Sequence, residues 1–158
     1  HPKESLNGID GSIYRDALGV ENYGKNWVYS ESHPLILAKK AFFAISFYSG
    51  VSLDMLAMNK PTIEYLDLRG LKDYDNKDSF RDGNGNPALV YRQTELVLGA
   101  SSRLELEQHV ESIFNQYEAT VLPLRLKYEN YFSPFDGASE MVSNDICKKI
   151  DDLRVTSI

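Results

Sequence analysis

Residues 41–66 read AFFAISFYSGVSLDMLAMNKPTIEYL, and this stretch decides the fold. Its first part, residues 41–48, is an almost unbroken apolar run that is rich in aromatic side chains. Such a run is typical of a strand that is covered on both faces, as in a parallel sheet. The run breaks at Ser49-Gly50, where a tight turn predicts the start of a helix.

The second part of the stretch predicts a helix and a further strand. Residues 51–58 have helical spacing, and Asn59 fits a left-handed cap at the helix end. Pro61 stops the helix, and residues 62–66 then predict a strand. A strand, a helix and a strand in this order form a β-α-β unit, which requires a parallel sheet.

Shorter elements extend the pattern on both sides. Residues 33–40 predict a short helix with Ser32 as its cap and Pro34 in its first turn. Extended segments are predicted at three places, which are residues 26–29, 88–92 and 95–98. Residues 67–87 are polar and rich in turn residues, and a loop of this length is usually functional or mobile.

The last third of the chain predicts helices. Ser102 and Glu105 form a capping box, and apolar residues follow it at helical spacing: Leu106, Val110, Ile113, Phe114 and Tyr117. Pro123 is expected to interrupt the next segment, so that residues 124–131 form a separate helix before a last one at residues 136–150. The expected fold is α/β, with a Rossmann-like, mostly parallel sheet flanked by helices and followed by C-terminal helices.

Composition narrows the possible functions. The 158 residues are expected to form one domain, residues 1–158, with a helical tail from about residue 119 to residue 158. The chain has 17 Lys and Arg residues and 23 Asp and Glu residues. The resulting net charge of -6 argues against a nucleic-acid duplex as partner. A single cysteine excludes an internal disulfide. The longest uncharged stretch is too short to span a bilayer.

Two common kinds of site fail on sequence grounds. The loop that starts at Asp82 resembles a calcium loop at its opening, but Pro87 stands where glycine is required and Gln93 where glutamate is required. The three histidines are far apart and have no ligand spacing, so no metal and no cofactor are expected. The segment 49–52 lacks the flanking glycines of a serine-hydrolase turn.

The turn at residues 49–52 is a better candidate for holding a phosphate. It lies where a strand ends and a helix begins, so unpaired N–H groups and the helix dipole favour an anion there. Gly50 would let the anion approach the backbone, and Ser49 and Ser52 could donate their hydroxyl hydrogens. Alternatively the serines only cap the helix, and the local sequence does not decide between the two.

The chain start offers a second candidate for the same phosphate. His1 and Lys3 would follow a strand, and they could supply a donor and a fixed positive charge at the carboxyl edge of the sheet. Taken alone, the tripeptide His1-Pro2-Lys3 is weak support for a phosphate site.

Together these segments resemble the C-terminal half of bacterial GT-B glycosyltransferases that build surface polysaccharides. The nearest in pattern are the Kdo and sialic acid transferases with a His-Pro motif and the CDP-glycerol polymerases. Their turn reads Ser-Ser-x-Ser-x-Asp/Glu-x-x-x-x-Gly-Lys-Pro, and residues 49–61 here read SGVSLDMLAMNKP. The sequence departs from the pattern at Gly50 and at Asn59. Residues 135–139, FDGAS, also resemble the family's ending, so the resemblance covers most of the chain.

The resemblance implies a nucleotide-sugar donor site with a CMP or CDP donor, or UDP, and no bound metal. His1, Lys3, Ser49, Gly50 and Ser52 would contact the donor phosphate. The base and ribose would lie at Tyr29 and Ser30, where backbone groups usually hold them. The family places its catalytic base in a separate N-terminal domain, so no residue of this chain is assigned that role.

The resemblance also sets the expected partners and location. A glycan or glycolipid acceptor would bind through the N-terminal domain, which this chain is expected to lack, so the chain alone is expected to be inactive. The enzyme would work in the cytoplasm, at the inner face of the membrane. Two alternatives stay open, a sugar-nucleotide 2-epimerase and an α/β interaction domain that binds no small ligand.

Overall fold

The computed structural model describes residues 9–132, 143 and 145–147. Its elements, in chain order, are six α-helices, one 3-10 helix and three strands in the part between residues 9 and 132: α1 Ile9–Leu18, the 3-10 helix Val20–Asn22, α2 Pro34–Lys40, β1 Ala44–Ser46, α3 Val51–Ala57, β2 Thr62–Tyr65, α4 Val90–Gln93, β3 Leu98–Ala100, α5 Arg103–Asn115 and α6 Tyr117–Tyr131.

The three strands form one parallel sheet in the order β1-β2-β3. Ile63 at the centre of β2 lies opposite Ile45 of β1 and Leu98 of β3. Helices flank this sheet, so the predicted α/β, Rossmann-like fold is confirmed. The β-α-β unit of residues 41–66 is its centre, because α3 connects β1 to β2 and contacts both.

Two apolar cores lie around the sheet. The first contains Ile63, Ala100 and Ile113, which brings α5 onto β2 and β3. The second contains Leu56, Leu96 and Leu124, which joins α3, the segment just before β3 and α6. Because α6 contacts both α3 and α5, it closes the structure along one side.

The strand predicted at residues 41–48 is too long, since β1 covers only Ala44–Ser46. Phe42 does not extend the strand because its ring stacks on Tyr117 at 4.7 Å between ring centroids. At the other end, Phe47 is 72% exposed. The aromatic residues of the run therefore serve contacts with helices and solvent as well as the sheet.

The strand predicted at residues 26–29 is wrong. Trp27 makes only an isolated bridge with Tyr23, and the rings of these two residues meet edge to face at 4.8 Å. The Trp27 indole N–H donates to the carbonyl of Gly19 at 2.9 Å. Local contacts with the preceding turn thus replace pairing with the sheet.

Two more local predictions need correction. The cap of α2 is His33 and not Ser32, because the His33 Nδ1 accepts a hydrogen bond from the Leu35 N–H at 3.3 Å. Residues 88–92 do not form an extended segment, because α4 begins at Val90. The segment predicted at 95–98 is displaced toward the C-terminus, where β3 covers Leu98–Ala100.

The helices after β3 follow the prediction in part. The Ser102 hydroxyl accepts from the Glu105 N–H at 3.3 Å, so the predicted serine cap is confirmed. The Glu105 carboxylate reaches back as predicted, but it accepts from the N–H of Ser101, one residue before the cap, at 2.7 Å. Pro123 does not interrupt α6, which runs through it. The backbone breaks instead at Gln116, whose φ of -142° and ψ of 48° are not helical and separate α5 from α6. The helix predicted at residues 136–150 lies largely outside the described residues.

Candidate functional site

The carboxyl end of β1 leads directly into the serine turn, Ser49-Gly50, and α3 begins at Val51. The Ser49 hydroxyl accepts from the Val51 N–H at 3.3 Å, and the Ser49 carbonyl accepts from the Ser52 N–H at 3.0 Å. Ser49, which precedes the cap residue Gly50, therefore binds two N–H groups at the start of α3. Its hydroxyl hydrogen is not used by the bond to Val51, in which the oxygen is the acceptor.

Gly50 has no conformational reason to be glycine. Its φ of -59° and ψ of -21° lie in the right-handed helical region that every L-residue adopts. A Cβ built on Gly50 would meet its nearest atom, the Tyr91 hydroxyl oxygen, at 3.8 Å, which is an ordinary van der Waals contact. The fold would therefore accept a larger residue here.

Ser52 does not face solvent. Its residue is 2% exposed, and it packs on the inner side of α3. The hydroxyl is thus placed beneath the turn and not at its surface. Of the predicted phosphate contacts that the structure describes, Ser49 and Gly50 lie together at the sheet edge, and Ser52 lies behind them.

A pair of tyrosines stands beside the serine turn. The ring of Tyr48, which directly precedes the turn, stacks on the ring of Tyr91 from α4. The centroids are 5.1 Å apart and the planes differ by 26°. Aromatic pairs prefer such an offset stack at 4.5–7 Å, so this contact stabilises both rings. Sequence reasoning could not find this contact, because the two residues are far apart in the chain.

Arg92 follows Tyr91 and is the most buried cation with described contacts at this edge. It is 6% exposed, and its Nε and NH2 groups both donate to the Asp82 Oδ2 at 2.8 Å. A third donor, NH1, reaches the carbonyl of Leu66 at 3.2 Å, just past the end of β2. Asp82 in turn accepts from the N–H groups of Asn84 and Asn86 through its other oxygen, both at 2.9 Å. This network fastens the loop of residues 66–89 to the sheet.

Glu64 lies buried in the middle of the sheet, in register with Ser46 and Gly99. It is 1% exposed, and burial raises the pKa of its carboxyl to about 7, while the charge of Arg92 acts in the opposite direction. Two hydroxyl oxygens on the same face, those of Ser46 and Thr62, are buried without a hydrogen-bond partner among the described residues. A protonated Glu64 is a hydrogen-bond donor as well as an acceptor in this polar layer.

A cleft lies elsewhere, along the outer edge of β3. It has a volume of about 520 Å³, and the loop at Asp82, the strand itself, α5 and α6 line it. His109 of α5 donates from Nε2 to the Gly99 carbonyl at 3.0 Å, since a carbonyl oxygen can only accept. Together with the Glu105 contact to the Ser101 N–H, this bond occupies two backbone groups along the outer edge of β3 and its end, which leaves fewer groups there for a further strand.

The remaining predicted residues are not brought to the serine turn by described contacts. Tyr29 and Ser30 lie in the irregular segment before α2, and the Ser30 hydroxyl accepts from the Ser32 N–H at 3.2 Å. His1 and Lys3 lie outside the described residues. Within residues 9–132, 143 and 145–147, no cluster of three or more His, Cys, Asp or Glu residues has the arrangement of a metal site.

Lys60, the lysine of the Lys-Pro pair, contacts the end of α2. Its ammonium group donates to the carbonyls of Ala38 and Lys39 at 2.7 and 2.8 Å, and both carbonyls lie in the last turn of α2. Free carbonyls at a helix C-terminus favour a cation, so Lys60 fastens α2 to the β-α-β unit.

Comparison with known proteins adds no family to this description. No protein-family model matches the chain, and no curated protein or solved structure matches it either. The class that the fold defines is an α/β domain with a small parallel sheet. Among the described helices, none has the length and apolar character needed to cross a membrane.

Proposed function

We propose that this chain is the donor-binding domain of a GT-B glycosyltransferase that transfers a sugar from a CMP- or CDP-activated donor, or a UDP-activated one, in capsule or lipopolysaccharide synthesis. The observation that carries the proposal is the serine turn at the carboxyl end of β1. Ligands of parallel α/β sheets bind at this edge, where loops leave the strands.

Gly50 supports a role in binding and not only in folding. Because its backbone conformation and its surroundings would accept alanine, the glycine is explained by a ligand that approaches the backbone. The Ser49 hydroxyl can donate to a phosphate oxygen while its oxygen keeps the bond to Val51. Ser52 is buried beneath the turn, so its backbone N–H, which donates to the Ser49 carbonyl, supports the turn, and its hydroxyl is not at the surface.

The other parts of the proposal come from the resemblance. His1 and Lys3 would add charge to the phosphate, and Tyr29 and Ser30 would hold the base through their backbone. No cofactor or metal is needed, because oriented dipoles and side chains can stabilise the leaving phosphate. The acceptor would bind to a partner domain, and the enzyme would act in the cytoplasm at the inner face of the membrane.

Calorimetric titration with CMP, CDP and UDP tests the proposal. The wild-type chain is expected to bind at least one of them, and Gly50→Ala is expected to weaken that binding about 10- to 100-fold, since a lost contact to a charged group costs about 1.5–3 kcal/mol. Gly83→Ala is the matched control, because a Cβ at Gly83 would also meet its nearest atom at 3.8 Å. Absence of binding, or an unchanged affinity in Gly50→Ala, would contradict the proposal.

A second candidate is an α/β interaction domain without a small ligand. The bond from the Val51 N–H to the Ser49 hydroxyl favours it, because the start of α3 is already capped. This candidate predicts that none of the three nucleotides binds and that Gly50→Ala and Gly83→Ala behave alike.

A further inference from the structure

Tyr48 occupies a particular position at the sheet edge. It stands two residues after β1 and directly before Ser49, so its ring and the serine turn leave the sheet at the same edge. One face of the Tyr48 ring is covered by Tyr91, at 5.1 Å between centroids. Tyr48 is nevertheless 51% exposed, so about half of the residue remains accessible to solvent although Tyr91 covers one face.

Contacts with the apolar core and a neighbouring ion pair fix the position of Tyr91. It packs against the core of Leu56, Leu96 and Leu124. The next residue, Arg92, is fixed by its buried ion pair with Asp82. Tyr48 therefore rests on a ring that is itself anchored in the core, and a preorganised surface of this kind loses little conformational entropy when a ligand binds.

We propose that the open face of Tyr48 is a stacking platform for the nucleobase of the ligand. Every nucleobase has a π-face, and stacking of a base on an aromatic side chain is worth about 1–3 kcal/mol. The carboxyl edge of a parallel sheet is where nucleotides bind in such folds. The identification of the stacked ligand as a nucleobase rests on the proposed donor site. The platform itself rests on the geometry of the Tyr48–Tyr91 pair.

The platform and the predicted backbone contacts address different parts of the base. Stacking on Tyr48 uses the face of the base and leaves its hydrogen-bonding edge free. The edge remains available to hydrogen-bonding groups of the protein or of water. Tyr48 thus adds affinity without selecting among CMP, CDP and UDP, because stacking tolerates any base.

Ring-proton NMR and calorimetry of three probes test the platform. The probes are CMP, ribose 5-phosphate, which has no base, and cytidine, which has no phosphate. We expect CMP and cytidine to shift the Tyr48 ring resonances upfield, and ribose 5-phosphate to leave them unchanged. Tyr48→Ala is expected to weaken CMP binding about 5- to 150-fold, the range that corresponds to the stacking energy, without affecting ribose 5-phosphate.

Two control variants keep the result specific. Tyr48→Phe retains the aromatic face and is expected to bind CMP like the wild type. Phe114→Ala removes another exposed aromatic ring, at the end of α5, and is also expected to leave CMP binding unchanged. Circular dichroism of each variant establishes that it is folded.

The outcomes separate the platform from the donor site. If ribose 5-phosphate and CMP bind but Tyr48→Ala weakens both equally or neither, the platform is overturned and the phosphate site stands. If neither CMP nor ribose 5-phosphate binds to the wild type, the proposed donor site is wrong. The cytidine titration then decides alone whether Tyr48 is a stacking platform. A cytidine titration that leaves the Tyr48 resonances unmoved overturns the platform in that case as well.

Discussion

The side chain of Arg92 fills the space that a Cβ on Gly99 would need, so the absence of a side chain at Gly99 allows Arg92 to reach Asp82. Gly99→Ala would push the guanidinium off its partner, and we expect the free energy of unfolding to fall by about 2–4 kcal/mol, between the usual costs of overpacking and of breaking a buried pair. Urea denaturation measures the change. Gly83→Ala, whose Cβ has room, should lie within about 0.5 kcal/mol of the wild type.

Two ion pairs, Arg92–Asp82 and Lys127–Glu95, differ in burial and therefore in what each contributes to the free energy of unfolding. The Arg92–Asp82 pair, at 2.8 Å, has side chains that are 6% and 8% exposed, whereas the Lys127–Glu95 pair, at 2.7 Å, has side chains that are 48% and 55% exposed. Asp82→Ala strands a buried cation and should reduce the free energy of unfolding by about 3–5 kcal/mol. Glu95→Ala should reduce it by less than about 1 kcal/mol. Equal losses in urea denaturation would show that burial does not set the energy of these pairs.

The β-α-β unit could be predicted from the sequence because its signals are local. Apolar runs mark β1 and β2, and Pro61 prevents α3 from continuing toward β2. Asn59 takes the predicted left-handed conformation, with a φ of 57°. The ends of β1 could not be predicted, because an apolar run does not say whether its aromatic residues join the sheet or pack on a helix. Phe42 does the latter.

The polar network around Arg92 was beyond sequence reasoning for a related reason. Its members are Asp82 in a loop, Arg92 in a segment predicted to be extended, and Glu64 in a strand. Each residue alone reads as an ordinary surface charge, and only the fold of the loop after β2 brings the ion pair onto the sheet. The serine turn, in contrast, was visible because strand, turn and helix are contiguous in the chain.

Substitution of Lys60 tests whether the Lys60-Pro61 pair at the end of the serine-turn motif binds a ligand or supports the fold. Because its ammonium group bonds to two carbonyls at the end of α2, Lys60→Met should lower the free energy of unfolding by about 1–2 kcal/mol. Affinity for whichever nucleotide binds the wild type should stay unchanged in calorimetry. A loss of nucleotide affinity without a loss of stability would reverse this assignment and make Lys60 a ligand contact. Lys72→Met, in the exposed loop, is the matched control.

Glu64 should make the stability of the protein depend on pH in the acidic to neutral range. Its pKa is about 7 in the fold, because of burial, against 4.5 in the unfolded chain. Between these values the unfolded chain binds fewer protons than the folded one, so the free energy of unfolding falls as pH rises and levels off above about pH 7. The loss from this group amounts to about 3 kcal/mol at most.

Glu64→Gln isolates this contribution, because glutamine keeps the shape of the protonated side chain and cannot ionise. The variant should match the wild type near pH 4.5 and exceed its stability above pH 7, when urea denaturation is measured across that range. Glu111→Gln, an exposed position on α5, should follow the wild-type curve and corrects for the change in net charge. If Glu64→Gln follows the wild-type curve as well, the carboxyl of Glu64 is ionised inside the sheet, and the charge of Arg92 outweighs the effect of burial.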